Sequence, residues 1–368
     1  MPNLFEPYSL KDITFRNRIG VSPMCQYWCN DRDGKLTDWH LVHLGSRAVG
    51  GAGLVMCEAT AVEARGRITP QDAGLWEDAQ IEPLARIAHF VKQYGAVPGM
   101  QLAHAGRKAS CARPWEGDHS LRDDEGGWET IAPSPIAFGG SGNRLWRVPR
   151  EMIKQDIVTV RQAFVAAARR ADEAGFDLLE LHAAHGYLAH SFYSPLANQR
   201  TDEYGGSFAN RIRFTVETVR ALRAVWPERK VLAIRLSCTD WVEGGWTLGD
   251  SVELARLLKA EGVDLVDCSS GFGAASGRYP IGPGWQVSLA DTIRREAGIA
   301  TAAVGAITEP RQADTIVREG QADLVLLGTQ FLRDPYWPLH AAAALGQGKA
   351  HTLPSPYDYM VGGLSYKN

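Results

Sequence analysis

The sequence predicts an α/β fold, a single (β/α)8 barrel, on three observations. Eight short apolar runs recur along the 368 residues, longer segments of helical period separate them, and glycine follows five of those segments. The runs fall at 18–22, 53–58, 97–102, 177–182, 231–237, 263–269, 300–305 and 323–328. Most lack polar alternation, as parallel strands buried on both faces do. Helical patterns occupy 41–49, 81–94, 151–174, 208–226, 251–261, 288–297 and 310–318. Gly95, Gly175, Gly262, Gly298 and Gly320 sit where C-terminal caps belong. Thr308-Glu309-Pro310 reads as a helix start. A doubly wound open sheet is the runner-up, but no GxGxxG follows an early strand.

One connection is too long for a simple loop. Residues 103–149 carry Trp115, Trp128 and Trp146 and are expected to form an ordered lid over the barrel mouth. Residues 351–368, with Tyr357, Tyr359 and Tyr366, form a loop-like tail. No linker divides the chain, so one domain over 1–368 is expected.

Composition narrows the function. A 45% hydrophobic content supports a large core. The net charge of -3 and the absence of a basic run give nucleic-acid binding no support. No run of 18 apolar residues predicts a membrane span. The six cysteines, Cys25, Cys29, Cys57, Cys111, Cys238 and Cys268, form no CxxC pair. Unpaired thiols and a start without leader character point to the cytoplasm.

The chemistry concentrates at one strand end. His182-Ala183-Ala184-His185-Gly186-Tyr187 follows the fourth apolar run. In a barrel, that edge carries the reaction. Two imidazoles can bind a carbonyl or nitro oxygen while a phenol delivers a proton. Strand period puts Glu180 with His182, Arg235 with Ser237, and Gln101 with Ala103 on common faces. Arg235 then needs a partner, either Glu180 or a bound anionic group. Gly305 and Gly328 end the last two strands, where barrels hold phosphate on backbone amides. Cys25 and Tyr27 fall at the first-strand mouth; Cys25 is either a redox-tuning thiol or a buried one. His182 and His185 could instead be metal ligands, though no carboxylate completes an obvious site.

Four stretches resemble the Old Yellow Enzyme family of FMN-dependent NAD(P)H ene-reductases. They are Ser22-Pro23-Met24-Cys25-Gln26-Tyr27, Gln101 to Lys108, His182 to Leu188 and Asn198 to Ser207. Cys25 with Tyr27 is similar to the thermophilic-like branch, which includes xenobiotic reductases. The resemblance implies FMN as cofactor and NADPH or NADH as hydride donor. It implies that Pro23, Met24, Cys25, Ala59, Gln101 and Arg235 hold the flavin ring. Gly305, Gly328 and Thr329 would hold its phosphate. His182, His185 and Tyr27 would bind the substrate, an α,β-unsaturated aldehyde, ketone, imide or nitroalkene. Hydride from flavin N5 and a proton from Tyr187 would saturate its double bond. The family commonly has Arg where this chain has Thr329, and Arg333 is a candidate substitute. The branch often sends a C-terminal Arg or aromatic residue into a neighbouring subunit; here Tyr357 or Tyr359 is available. A homodimer or homotetramer is implied. The alternatives are a reductase of nitro compounds or nitrate esters, a dienoyl thioester reductase, a metal-dependent hydrolase using His182 and His185, and a flavin-binding sensor.

Overall fold

A computed structural model describes residues 2–139, 146–348 and 353–361. Eight parallel strands close into a barrel. We number them β1 (Ile19–Val21), β2 (Leu54–Ala61), β3 (Val97–Ala103), β4 (Leu178–Ala183), β5 (Val231–Ser237), β6 (Leu265–Ser269), β7 (Ala300–Ala303) and β8 (Leu324–Leu327). Each pairs with its neighbours in chain order, and β8 closes onto β1. All eight coincide with the apolar runs of the sequence.

The surrounding helices are α1 (Asp38–Val49), α2 (Ile81–Gln93), α3 (Lys154–Glu173), α4 (Arg213–Arg223), α5 (Leu248–Ala260), α6 (Val287–Ala297), α7 (Pro310–Arg318) and α8 (Trp337–Ala344). Local chemistry sets several ends. Pro310 occupies the first turn of α7, where its missing N–H costs nothing. Thr247 Oγ1 accepts from Asp250 N at the start of α5. Gly298 ends α6 at φ +62°. None of the described helices is long and apolar enough to cross a membrane.

Two helix expectations need correction. The 208–226 pattern divides into Phe208–Arg211 and α4, with Ile212 between them. The 151–174 pattern starts late, because Arg150–Glu151 pairs in parallel with Ile131–Ala132 before α3 begins. Periodicity records apolar spacing and is blind to such breaks. A hairpin, Tyr8–Leu10 with Ile13–Phe15, was not anticipated. Phe15 joins Leu54, Met56, Val97, Leu178 and Leu324 in an apolar plug inside the barrel. The lower interior is therefore packed, and polar side chains are confined to the upper end.

Among its described residues the 103–149 excursion contains three single turns, at Gly106–Lys108, Pro114–Glu116 and Asp123–Glu125. Several of its side chains reach the mouth. Arg107 Nη2 donates to Gly273 O at 2.6 Å, and Lys108 Nζ donates to His185 O at 2.9 Å. Trp115 lies edge-on to Tyr27, with centroids 6.0 Å apart. The tail helix Ser355–Val361 follows residues that line a cavity with Arg16, Tyr94 and Gly95, below the N-terminal ends of the strands. That helix carries Tyr357 and Tyr359, both exposed, while Tyr366 lies outside the described residues.

Candidate active site

Register brings the interior polar residues together. Gln101 on β3 is level with Glu180 on β4 and donates to it at 2.7 Å. One step higher, His182 on β4, Arg235 on β5 and Asp267 on β6 form a row. Arg235 Nε lies 3.1 Å from Asp267 Oδ2. The partner of Arg235 is therefore Asp267, not Glu180. The reason is geometric: Glu180 faces Gln101 one layer lower. Alternation of Leu265, Asp267 and Ser269 on one side of β6 was the signal available in the sequence.

Both carboxyls are buried, and burial pushes both upward. For Glu180 the charge of Asp267 adds to burial and Arg235 opposes it. For Asp267, Arg235 again opposes. The guanidinium thus faces two carboxyls that resist ionising together.

Above this row sits the His182–Tyr187 loop. The His182 and His185 rings are 5.2 Å apart and nearly perpendicular, and Tyr187 lies edge-on to His182 at 4.8 Å. His182 Nδ1 accepts from Ala184 N at 3.2 Å, which puts the proton of a neutral ring on Nε2. His185 Nε2 is 2.7 Å from Ser269 Oγ; when that hydroxyl donates, the ring proton sits on Nδ1. Burial, then Arg235, holds both imidazoles well below their ordinary range. They are neutral at physiological pH, and among the described residues each has one ring nitrogen free of protein partners. Burial also pushes Tyr187 well above its ordinary range, so it stays a phenol.

The first-strand mouth faces this loop. Gln26 N donates to Glu58 Oε1 at 3.0 Å, which fixes the Cys25–Tyr27 turn. Tyr27 adopts φ +51°, a conformation that non-glycine residues rarely take. Burial, with Glu58 and Asp72, raises the Cys25 thiol well above its usual value. A thiol so placed is no thiolate nucleophile. Ala59 lies just past an irregularity in the β2–β3 register and pairs with Gln101.

A flat, phosphate-bearing heterocycle fits the remaining features. The charged edge of Arg235 has only Asp267 as an ion partner among the described residues. Gly305 and Ala306 follow β7 with φ of +122° and +48°. Among the described residues the amides of Gly305, Ala306 and Gly328 find no protein acceptor. A Cβ built on Gly328 would meet only Met24 Sδ, at 3.8 Å. Gly328 and Met24 thus border open space between the ends of β8 and β1. Thr329, exposed, opens the short helix Thr329–Arg333, and Arg333 ends it on the surface.

Sequence reasoning missed several groups. Lys108, Phe272, Ser269, His190 and Asp240 all touch the histidine loop or its supports. His190 was visible four residues beyond Gly186, which is one helical turn. Among the described residues no three His, Cys, Asp or Glu gather as metal ligands. The hydrolase alternative therefore lacks a third ligand.

The barrel and this mouth define a flavin oxidoreductase. Residues 3–347 match the NADH:flavin oxidoreductase / NADH oxidase family, and the chain belongs to that family. An NADPH dehydrogenase of Geobacillus sp. (strain WCH70) is 48% identical over 343 residues, covering 93% of this chain and 94% of that protein. Morphinone reductase superposes with a TM-score of 0.78 at 26% identity, covering 96% of this chain and 91% of that one. 2-Naphthoyl-CoA reductase gives 0.83 at 26% identity over 94% of this chain, which spans only 53% of that larger protein. The chain is an FMN-dependent oxidoreductase that consumes NAD(P)H.

Proposed function

We propose that the chain is an NADPH-dependent ene-reductase, acting on α,β-unsaturated aldehydes, ketones, imides and nitroalkenes. Bound FMN supplies the hydride, taken from NADPH and passed to the β-carbon of the substrate. Pro23, Met24, Cys25, Ala59, Gln101 and Arg235 would hold its ring, and Gly305, Gly328 and Thr329 its phosphate. NADPH as donor is supported by the relative's name.

The observation that carries the reading is the pairing of two neutral imidazoles with a protonated phenol on one loop. His182 presents its Nε2–H to the activating oxygen of the substrate, and His185 presents its Nδ1–H when Ser269 donates to its Nε2. Donors already in place draw charge from the double bond without reorganising. Tyr27 walls the opposite side. Tyr187 gives its proton to the α-carbon. A phenol held this firmly protonated yields only to a strongly basic acceptor, which that carbon becomes once its neighbour has received hydride. Arg107, Lys108 and Trp115 of the 103–149 excursion reach this mouth and would cover the bound substrate.

Reduction of nitro compounds or nitrate esters uses the same donors, since a nitro oxygen accepts hydrogen bonds as a carbonyl does. An anaerobic titration tests the reading. NADPH should bleach the bound flavin, and cyclohexenone should restore its colour at one equivalent per flavin. Bleaching that only nitro compounds reverse would favour the second substrate class. Absence of bound flavin would remove both.

A further inference from the structure

We infer that His190 is a positioning residue for the substrate-holding histidines, acting through the amide of Gly186 with its tautomer set by Asp240. The inference rests on the proposed role of His182 and His185.

His190 lies on the short helix Leu188–Tyr193 and is fully buried, as is Asp240. Its Nε2 stands 2.9 Å from Asp240 Oδ1. Its Nδ1 accepts from Gly186 N at 2.8 Å. The two bonds demand one tautomer: Nε2 donates to the carboxylate and Nδ1 accepts. The carboxylate is itself fixed, because Asp240 Oδ2 accepts from Ser194 Oγ at 2.7 Å and Trp246 N at 2.8 Å. Burial alone would raise Asp240; His190, Ser194 and Trp246 hold it lowered, so it stays an acceptor.

The amide that His190 holds belongs to an unusual turn. His185 has φ +59° and Gly186 has φ +77°. A non-glycine residue persists there only when its surroundings fix it. Every polar backbone atom of the turn is held by a side chain. Ser237 Oγ accepts from His185 N at 2.9 Å, and Lys108 Nζ donates to His185 O at 2.9 Å. Ser191 Oγ donates to Gly186 O at 3.0 Å, and His190 takes the remaining amide. The pair also supports the roof: a Cβ on Gly273 would come within 2.6 Å of His190 Cε1. Phe272, beside Gly273, stands edge-on to His185 at 5.8 Å.

The neighbouring loop uses the same device. His104 Nδ1 accepts from Gly106 N at 3.0 Å while its Nε2 meets Glu63 at 2.8 Å. Two mouth loops are thus each hung on a buried histidine through a glycine amide, and Lys108 ties them together. His190 is aligned on the loop that carries the reacting oxygen's donors.

Two substitutions of similar polarity separate positioning from simple filling. In His190→Asn the amide oxygen occupies the place of Nδ1 and can still accept from Gly186. In His190→Gln the oxygen lies at the place of Nε2 and cannot. The probe is 4-hydroxybenzaldehyde, whose phenolate over an oxidised flavin absorbs at long wavelength. His190→Gln should weaken its binding and raise the cyclohexenone KM about tenfold or more, whereas His190→Asn should stay within about threefold of wild type. FMN content and melting temperature should match for the two. Equal affinities in both variants would overturn the inference. Histidine 15N shifts in the wild-type holoenzyme give a reading independent of any variant's folding. They should show His190 protonated at Nε2 alone, and an Nδ1–H or doubly protonated ring would contradict it. Phenolate affinity and the shifts need no turnover, so failure of the ene-reductase reading would show separately, as a wild-type protein that cyclohexenone does not reoxidise.

Discussion

Arg235 has Asp267 at 3.1 Å, and neither Asp267 oxygen has any hydrogen-bond partner among the described residues. Such a buried pair costs several kcal/mol to desolvate and is weak evidence for stability. It leaves one cationic edge directed at the mouth. Lys108 is a further cation there, beside Arg107. Its Nζ stands 4.2 Å from the Phe138 ring centre and 5.3 Å from that of Tyr187. Burial, then Arg107, lowers its pKa from 10.5 to about 8. The sign follows from the direction. Below about 8 the folded protein carries the ammonium, with charge-assisted bonds to His185 O and Phe272 O. As pH rises through that value, the charge and part of the hold on the loop are lost. Folding stability moves the other way, rising with pH between the folded and unfolded values as the burial cost disappears. The KM for cyclohexenone, which does not titrate, should therefore increase across about one unit either side of pH 8. Lys108→Met should flatten that dependence. Identical profiles in the two proteins would remove Lys108 from the account. At this scale the sequence singled out His182, His185, Tyr187 and Arg235 as candidates by type and spacing, and the structure brings them to one mouth. It left Asp267, His190 and Lys108 without roles, because their meaning comes from partners on other strands and loops.

The elements that matter most are the two mouth loops after β3 and β4. The apolar runs located their strands correctly, since buried parallel strands leave a plain signal. Loop conformation left a fainter one. Gly186 is required both by its φ of +77° and by the carbonyl of Phe272, 2.5 Å from any Cβ placed there. Gly186→Ala should cost about 1–3 kcal/mol of local stability. The turn would relax by moving His185 away from Ser269. We expect a small change in melting temperature, because the barrel core is untouched, with a loss of phenolate affinity of about tenfold or more. Retained affinity would show that the turn does not hold His185 in place. Helix breaks, such as the one at Ile212, escaped the sequence because the apolar spacing continues through them.

The whole molecule separates packing from chemistry along the barrel axis. Its lower half is filled by Leu54, Met56, Val97, Leu178 and Leu324, closed from below by the hairpin Tyr8–Phe15, which contributes Phe15. Its upper half carries Gln101, Glu180, His182, Arg235 and Asp267, on β3 to β6. The barrel was legible from eight runs and their spacing. The plugging hairpin was not, since two three-residue strands fall below what periodicity can register.

The central claim divides the work within this mouth: the histidines hold oxygen and Tyr187 supplies the proton to carbon. Stopped-flow comparison of both half-reactions in Tyr187→Phe tests it most directly. Flavin bleaching by NADPH should proceed at nearly the wild-type rate, because no proton is delivered to carbon in that step. Reoxidation by cyclohexenone should slow by about 10²–10⁴-fold, the usual contribution of a positioned acid. Reoxidation by a nitrostyrene should slow far less, because the nitronate formed is stable enough to leave and take its proton from water. Unimpaired cyclohexenone reduction, or equal slowing of both substrates, would contradict the account and move the proton source to Tyr27 or to solvent.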